Sequence, residues 1–84
     1  MSFIVKLHPG VDDFLKKCEK NTADRIITRF KLLKENPFHY LEHYEGDFYE
    51  LKIGDYRALV DIDQKRKIIF IQVVDHRSKI YKRN

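Results

Sequence analysis

The side chains best suited to chemistry in this chain are Lys52, Arg57, Arg77 and Tyr81, three cations and a phenol, with the carboxylate of Glu50 two residues before the first. The segment Phe48-Tyr-Glu-Leu-Lys-Ile-Gly-Asp-Tyr-Arg-Ala-Leu-Val alternates in polarity on either side of Gly54-Asp55. That dipeptide suits a two-residue hairpin turn, whose positive φ angles match the right-handed twist of the strands it joins. In this register Ile53 faces Tyr56 and Lys52 faces Arg57. Two cations directly opposed across an antiparallel pair repel each other. The expectation is therefore that an anion visits their face, and a phosphodiester is the first candidate. The plainer alternative is that Glu50 and Asp61, which alternation puts on the same face, neutralise both cations in a surface lattice of ion pairs.

The elements that must position these groups follow from periodicity. Phe3-Ile-Val-Lys-Leu reads as a short opening strand, and Pro9 can take the first position of a helix whose apolar stripe is Val11, Phe14, Leu15 and Cys18. Asn21 is the expected N-cap of a second helix, with Asp24 three residues on and Ile26, Ile27, Phe30 and Leu33 as its apolar face, ending at Asn36-Pro37. The two helices form a helical hairpin, with Arg25, Arg29 and Lys34 on its solvated side. Residues 38 to 47 show no clean period and read as a connector. Strands are expected at 48 to 53, 56 to 62 and 66 to 75, the last apolar on both faces and so interior to the sheet. In a short helical tail Arg77 and Tyr81, four apart, share a face. The sum is an α+β domain spanning 1 to 84, an N-terminal strand and two-helix hairpin packed on an antiparallel sheet with a C-terminal three-strand meander and a short tail.

Composition bounds the function. An apolar fraction of 43% argues against disorder, and no apolar run approaches the roughly 20 residues that a membrane helix needs. A single cysteine and the absence of a signal-like start point to a cytoplasmic protein with no membrane partner. The net charge of +4 is unevenly placed: residues 1 to 51 carry eight Lys/Arg against nine Asp/Glu, and residues 52 to 84 carry nine against four. A basic C-terminal half favours nucleic acid or an acidic protein as partner. Cys18, on the expected apolar stripe, reads as a buried thiol. His39 and His43 have the spacing of a helical metal pair but no third ligand, His8 reads as a helix-start residue, and alternation turns His76 away from Arg77. No metal and no cofactor is expected.

The strings Phe48-Tyr-Glu-Leu-Lys-Ile-Gly-Asp-Tyr-Arg and Val74-Asp-His-Arg-Ser-Lys-Ile-Tyr resemble the two signature segments of the RelE/ParE toxin superfamily, and the preceding strand, helical hairpin and Asn-Pro stop match its layout. The resemblance covers essentially the whole chain. It implies the toxin of a toxin–antitoxin system, a ribosome-dependent endoribonuclease that cuts messenger RNA in the ribosomal A site. It further implies a cognate acidic RelB-like antitoxin that wraps the toxin, and the basic tail leads to the expectation that this partner also displaces or immobilises the segment around Tyr81. The implied reaction is metal-free attack of a ribose 2′-hydroxyl on the adjacent phosphate. Lys52 matches a basic position implied to help deprotonate that hydroxyl. Arg57 would hold the non-bridging oxygens, Arg77 would assist the same charge or the leaving oxygen, and Tyr81 would stack on a base or orient the nucleophile. Glu50 stands where members of the family place a second lysine, so either Glu50 or Lys52 is the base, or Glu50 only screens the patch. The competing readings are a ParE-like inhibitor of DNA gyrase that performs no chemistry, and an inactive RNA-binding or antitoxin-binding relative.

Overall fold

The computed structural model describes residues 2–81. Along the chain come β1 (Ile4–Leu7), α1 (Pro9–Lys17), α2 (Lys20–Leu32), α3 (Pro37–Tyr40), β2 (Glu42–Glu45), β3 (Phe48–Ile53), β4 (Tyr56–Asp63), β5 (Ile68–His76) and α4 (Arg77–Ile80). The strands form one sheet in the order β1-β5-β4-β3-β2. The meander β3-β4-β5 is antiparallel, as expected, while β1 joins β5 in parallel through Ile4↔Ile68 to Leu7↔Ile71. The sheet is thus mixed, with β5 interior between β1 and β4.

One face of the sheet carries the core. Leu51 and Ile53 of β3, Ala58 and Val60 of β4, and Ile69, Ile71 and Val74 of β5 are buried together with Val11 of α1 and Ile26, Phe30 and Leu33 from the second helical segment. Strict alternation along β5 would send residues 69, 71 and 73 inward. The pairs Leu59↔Val73 and Val60↔Ile71 leave Gln72 without a partner, a bulge that shifts the phase and turns Val74 inward instead.

The helix boundaries differ from expectation at the end of α1, which leaves Cys18 half-buried at the cap and not buried on the stripe, and at both ends of α2, which stops at Leu32 and not at Asn36-Pro37. Helix α1 starts at Pro9, as its fixed φ favours, with His8 Nδ1 accepting the Gly10 N–H at 3.1 Å. Cys18 is the C-cap of α1 and half-buried, its N–H donating to the carbonyls of Phe14 and Leu15. Helix α2 starts one residue before Asn21, with Glu19 as N-cap and no side-chain bond at the cap. Asn21 lies within the helix because the tight break at Cys18-Glu19 fixes the start.

The segment expected to be an irregular connector contains a helical turn, α3, and an edge strand, β2. β2 pairs with β3 through Glu42↔Glu50 and His43↔Tyr49, then slips in register before Glu45↔Phe48. Among the described residues no helix is long and apolar enough to cross a membrane.

Ile71 is fully buried and interior, so Ile71→Ala should cost about 2–5 kcal/mol through lost transfer energy and an unfilled cavity. Urea denaturation checks this. A fall in midpoint of that size with unchanged slope is expected, and a loss below about 1 kcal/mol would contradict the core described above.

Candidate active site

The β3-β4 hairpin has the register read from sequence, with Ile53 opposite Tyr56 and Lys52 opposite Arg57. Gly54 sits at φ +59°, a conformation that side chains disfavour. The expected repulsion between the opposed cations is relieved within the protein, so it does not by itself require an anionic visitor. Lys52 Nζ turns outward to Glu42 Oε2 at 3.4 Å, with both side chains at least half exposed. Arg57 turns the other way. Its Nη1 donates to the Gly54 carbonyl at 2.7 Å and the Tyr56 carbonyl at 2.8 Å, and its Nε donates to the Tyr81 hydroxyl at 3.1 Å. It is 8% exposed. The lattice of Glu50 and Asp61 does not form: the carboxylate that pairs with Lys52 belongs to β2.

Arg77 is brought to the same rim by its backbone. Its N–H donates to the Asp55 carbonyl at 2.8 Å, docking the start of α4 onto the hairpin turn, while its side chain is exposed. His76 caps this turn of helix, its Nδ1 accepting the Ser78 N–H at 3.2 Å. Ile80, fully buried yet outside the main core cluster, anchors α4, and the Tyr81 N–H donates to the Arg77 carbonyl at 3.2 Å. The i, i+4 relation of Arg77 and Tyr81 thus holds. Tyr81 remains 48% exposed.

Glu50 is the outlier. It is 7% exposed, and its Oε2 is buried with no hydrogen-bond partner. A buried oxygen without a donor costs about 1–3 kcal/mol, more if charged. On the strand face shared by Glu50 and Lys52, an open hollow of about 460 Å³ is lined by Tyr44, Phe48, Leu59 and Asp61. The structure therefore gathers Arg57, Tyr81 and the start of α4 at the hairpin turn, with Lys52 and Glu50 along β3 beside them.

Three residues near the site were not singled out from sequence. Glu42 lay in the segment read as a connector. Arg29 and Arg25, assigned to the solvated side of α2, reach the hairpin: Arg29 Nη2 donates to the Lys52 carbonyl at 3.3 Å, and a Cβ placed on Gly54 would meet Arg25 Nη1 at 2.7 Å. An arginine four residues from another, on the helix preceding a cationic hairpin, is the signal that could have drawn attention to them. His43 bonds the Gly46 carbonyl at 2.9 Å and His39 packs edge-on against Tyr40. Among the described residues no three His, Cys, Asp or Glu side chains gather as a metal set.

A family model for the ParE toxin of the type II toxin-antitoxin system parDE matches residues 5–81, and the chain belongs to that family. It is the toxin component of a toxin–antitoxin system. No curated protein sequence matches the chain. Among solved structures it is similar to the RelBE2 toxin–antitoxin complex from Mycobacterium tuberculosis, with TM-score 0.82 and 19% identity over 90% of this chain and 99% of that one. It is similar to the archaeal RelE–RelB complex from Pyrococcus horikoshii, with TM-score 0.79 and 25% identity over 94% and 99%. A mutant of the E. coli toxin RelE in the free state gives TM-score 0.77 and 15% identity over 96% and 92%.

Cys18 lies behind this rim, in a hollow shared with Phe14, Tyr56, Asp75 and His76. Burial, and secondarily the negative charge of Asp75, raises its pKa above the ordinary thiol value. Both causes disfavour the thiolate, the reactive form. Alkylation near pH 8 should therefore be slower than that of free cysteine, and Asp75→Asn should accelerate it. Iodoacetamide kinetics against pH check this, and an unchanged rate in Asp75→Asn would remove the electrostatic cause.

Proposed function

We propose that this toxin is a ribosome-dependent endoribonuclease that cuts messenger RNA in the A site without a metal. The observation that carries the proposal is the arrangement at one rim of a buried, carbonyl-anchored Arg57, an exposed Tyr81 ring and an orphaned buried carboxylate oxygen on Glu50. In the reaction, Glu50 takes the proton of a ribose 2′-hydroxyl. The 2′-oxygen then bonds to the adjacent phosphorus and the bond from phosphorus to the 5′-oxygen breaks. A solvent proton completes the 5′-hydroxyl, leaving a 2′,3′-cyclic phosphate on the other fragment. Lys52 is paired to Glu42 and half exposed, which favours Glu50 over Lys52 as base and leaves Lys52 to attract the phosphate. Arg57 and Arg77 stabilise the charge that builds on the phosphate oxygens and the leaving oxygen. Tyr81 holds a base by stacking, and the hollow at Phe48 and Tyr44 gives room to a neighbouring nucleotide.

The partners that follow are the ribosome, its messenger RNA and an acidic, RelB-like antitoxin, in a cytoplasmic setting. The similar structures from M. tuberculosis and P. horikoshii are toxin–antitoxin complexes, which supports the last of these. A second reading takes its support from the matching family model, which is named for ParE. In it the chain inhibits DNA gyrase through its helical hairpin and makes no use of the rim.

Arg57→Ala and Arg77→Ala should each lower the rate of A-site cleavage at least tenfold, about 1.4 kcal/mol of transition-state stabilisation. Single-turnover cleavage on programmed ribosomes checks this, and wild-type rates in both variants would overturn the assignments. Glu50→Gln removes the base while preserving shape. It should lower the rate constant by about 10²- to 10⁴-fold, whereas Lys52→Gln should lower it by no more than about tenfold. The opposite pattern would make Lys52 the base.

A further inference from the structure

The hairpin tip is approached by guanidinium groups from both sides of the sheet. Arg57 reaches the Gly54 carbonyl from the strand face opposite the core. Arg25 and Arg29, one turn apart on α2, reach the same tip from the helix side, Arg25 against Gly54 and Arg29 on the Lys52 carbonyl. Arg77 begins the short helix docked on Asp55. Among the described residues none of these four arginines has a carboxylate within ion-pair distance; the ion pairs found are Lys52 with Glu42 and Arg66 with Asp63. Each guanidinium carries five donors in a planar fork; Arg29 spends one on the Lys52 carbonyl and lies over the Tyr40 ring at 5.4 Å, while the side chains of Arg25 and Arg77 make no hydrogen bond among the described residues. Like charges brought together without counterions raise the energy of the free protein and focus a positive potential on one spot.

We propose that Arg25 and Arg29 form a second phosphate-binding position, so that an RNA backbone engaged at Arg57 and Arg77 continues around the hairpin tip to the helix side of the sheet. This rests on the RNA reading given above. The ligand is a phosphodiester chain rather than an acidic helix, because on the other face of the same tip Arg57 is bonded to the half-exposed Tyr81, whose ring suits a base. The exposed Ile27 of α2, which an amphipathic helix would need, lines a different hollow with Val5, Leu7 and Phe30. Glycine at residue 54 suits the positive φ of the turn, and the Arg25 guanidinium occupies the space that a side chain there would enter.

The test is a titration of the purified chain with a fluorescent single-stranded RNA, 2′-O-methylated throughout so that it cannot be cut, over a range of KCl concentrations. Wild type should bind with an affinity that falls steeply with salt. Arg25→Gln and Arg29→Gln should each weaken binding about three- to tenfold and flatten the slope of log K against log salt by about 0.7, the contribution of one phosphate contact on a single strand. Arg25→Lys should restore the slope. Arg25 is exposed and its replacement should leave thermal unfolding unchanged, so this variant carries the test if Arg29→Gln disturbs the hairpin. Unchanged slopes, failure of the wild type to bind, or loss of binding to the antitoxin in place of RNA would each overturn the proposal. A chain that binds this RNA through Arg25 yet never cuts messenger RNA would refute the nuclease reading alone. One that cuts with an Arg25→Gln slope equal to wild type would refute only the second position.

Discussion

The buried guanidinium of Arg57 joins three parts of the rim: the Gly54 carbonyl in the turn, its neighbour Tyr56, and the Tyr81 hydroxyl 24 residues on. A cation so nearly enclosed needs compensation, and here it comes from carbonyl dipoles and a phenol rather than from a carboxylate. The planar fork of arginine can bond two carbonyls through one nitrogen and turn another toward the tail, which a lysine ammonium on its flexible stem does far less well. The left-handed conformation of Gly54 belongs to the same constraint, since it is the carbonyl of that residue that Arg57 grips. Because Arg57 is neutralised by dipoles and not by a fixed anion, its charge remains available to a ligand.

Glu50 breaks a rule that the rest of the chain keeps. The core face is apolar through Val74, the helices pack on it, and the bulge at Gln72 shifts the phase of β5 so that Val74 turns inward. Against that consistency, the buried Glu50 oxygen without a donor among the described residues is a local cost. Such costs persist where they serve binding or catalysis.

The hairpin was legible because its signal is short-range. Strand alternation has a period of two, Gly54-Asp55 is a specific turn, and together they fix Lys52 opposite Arg57 with no reference to the remainder of the fold. Arg77 and Tyr81 were legible as a helical pair for the same reason. What sequence did not show depends on non-local pairing. β2 is a polar edge strand whose register slips between His43 and Glu45, so it carries no apolar period, and with it the partner of Lys52 was missed. The parallel pairing of β1 with β5 joins opposite ends of the chain. The start of α2 was misplaced because its true cap, Glu19, makes no side-chain bond, whereas Asn21 has the residue type of a cap. Arg25 and Arg29 were assigned to solvent on helical phase, which does not report that the phase also aims them at a hairpin tip.

The claim that this rim performs chemistry is tested most directly by a programmed ribosome whose A-site codon carries a single 2′-deoxy sugar at the position cut in the all-ribose message. The account predicts that the all-ribose message yields a 2′,3′-cyclic phosphate and a 5′-hydroxyl, and that the 2′-deoxy message stays whole. Cleavage of the 2′-deoxy message at the same position, or an intact all-ribose message in the presence of a toxin that inhibits DNA gyrase, would contradict it.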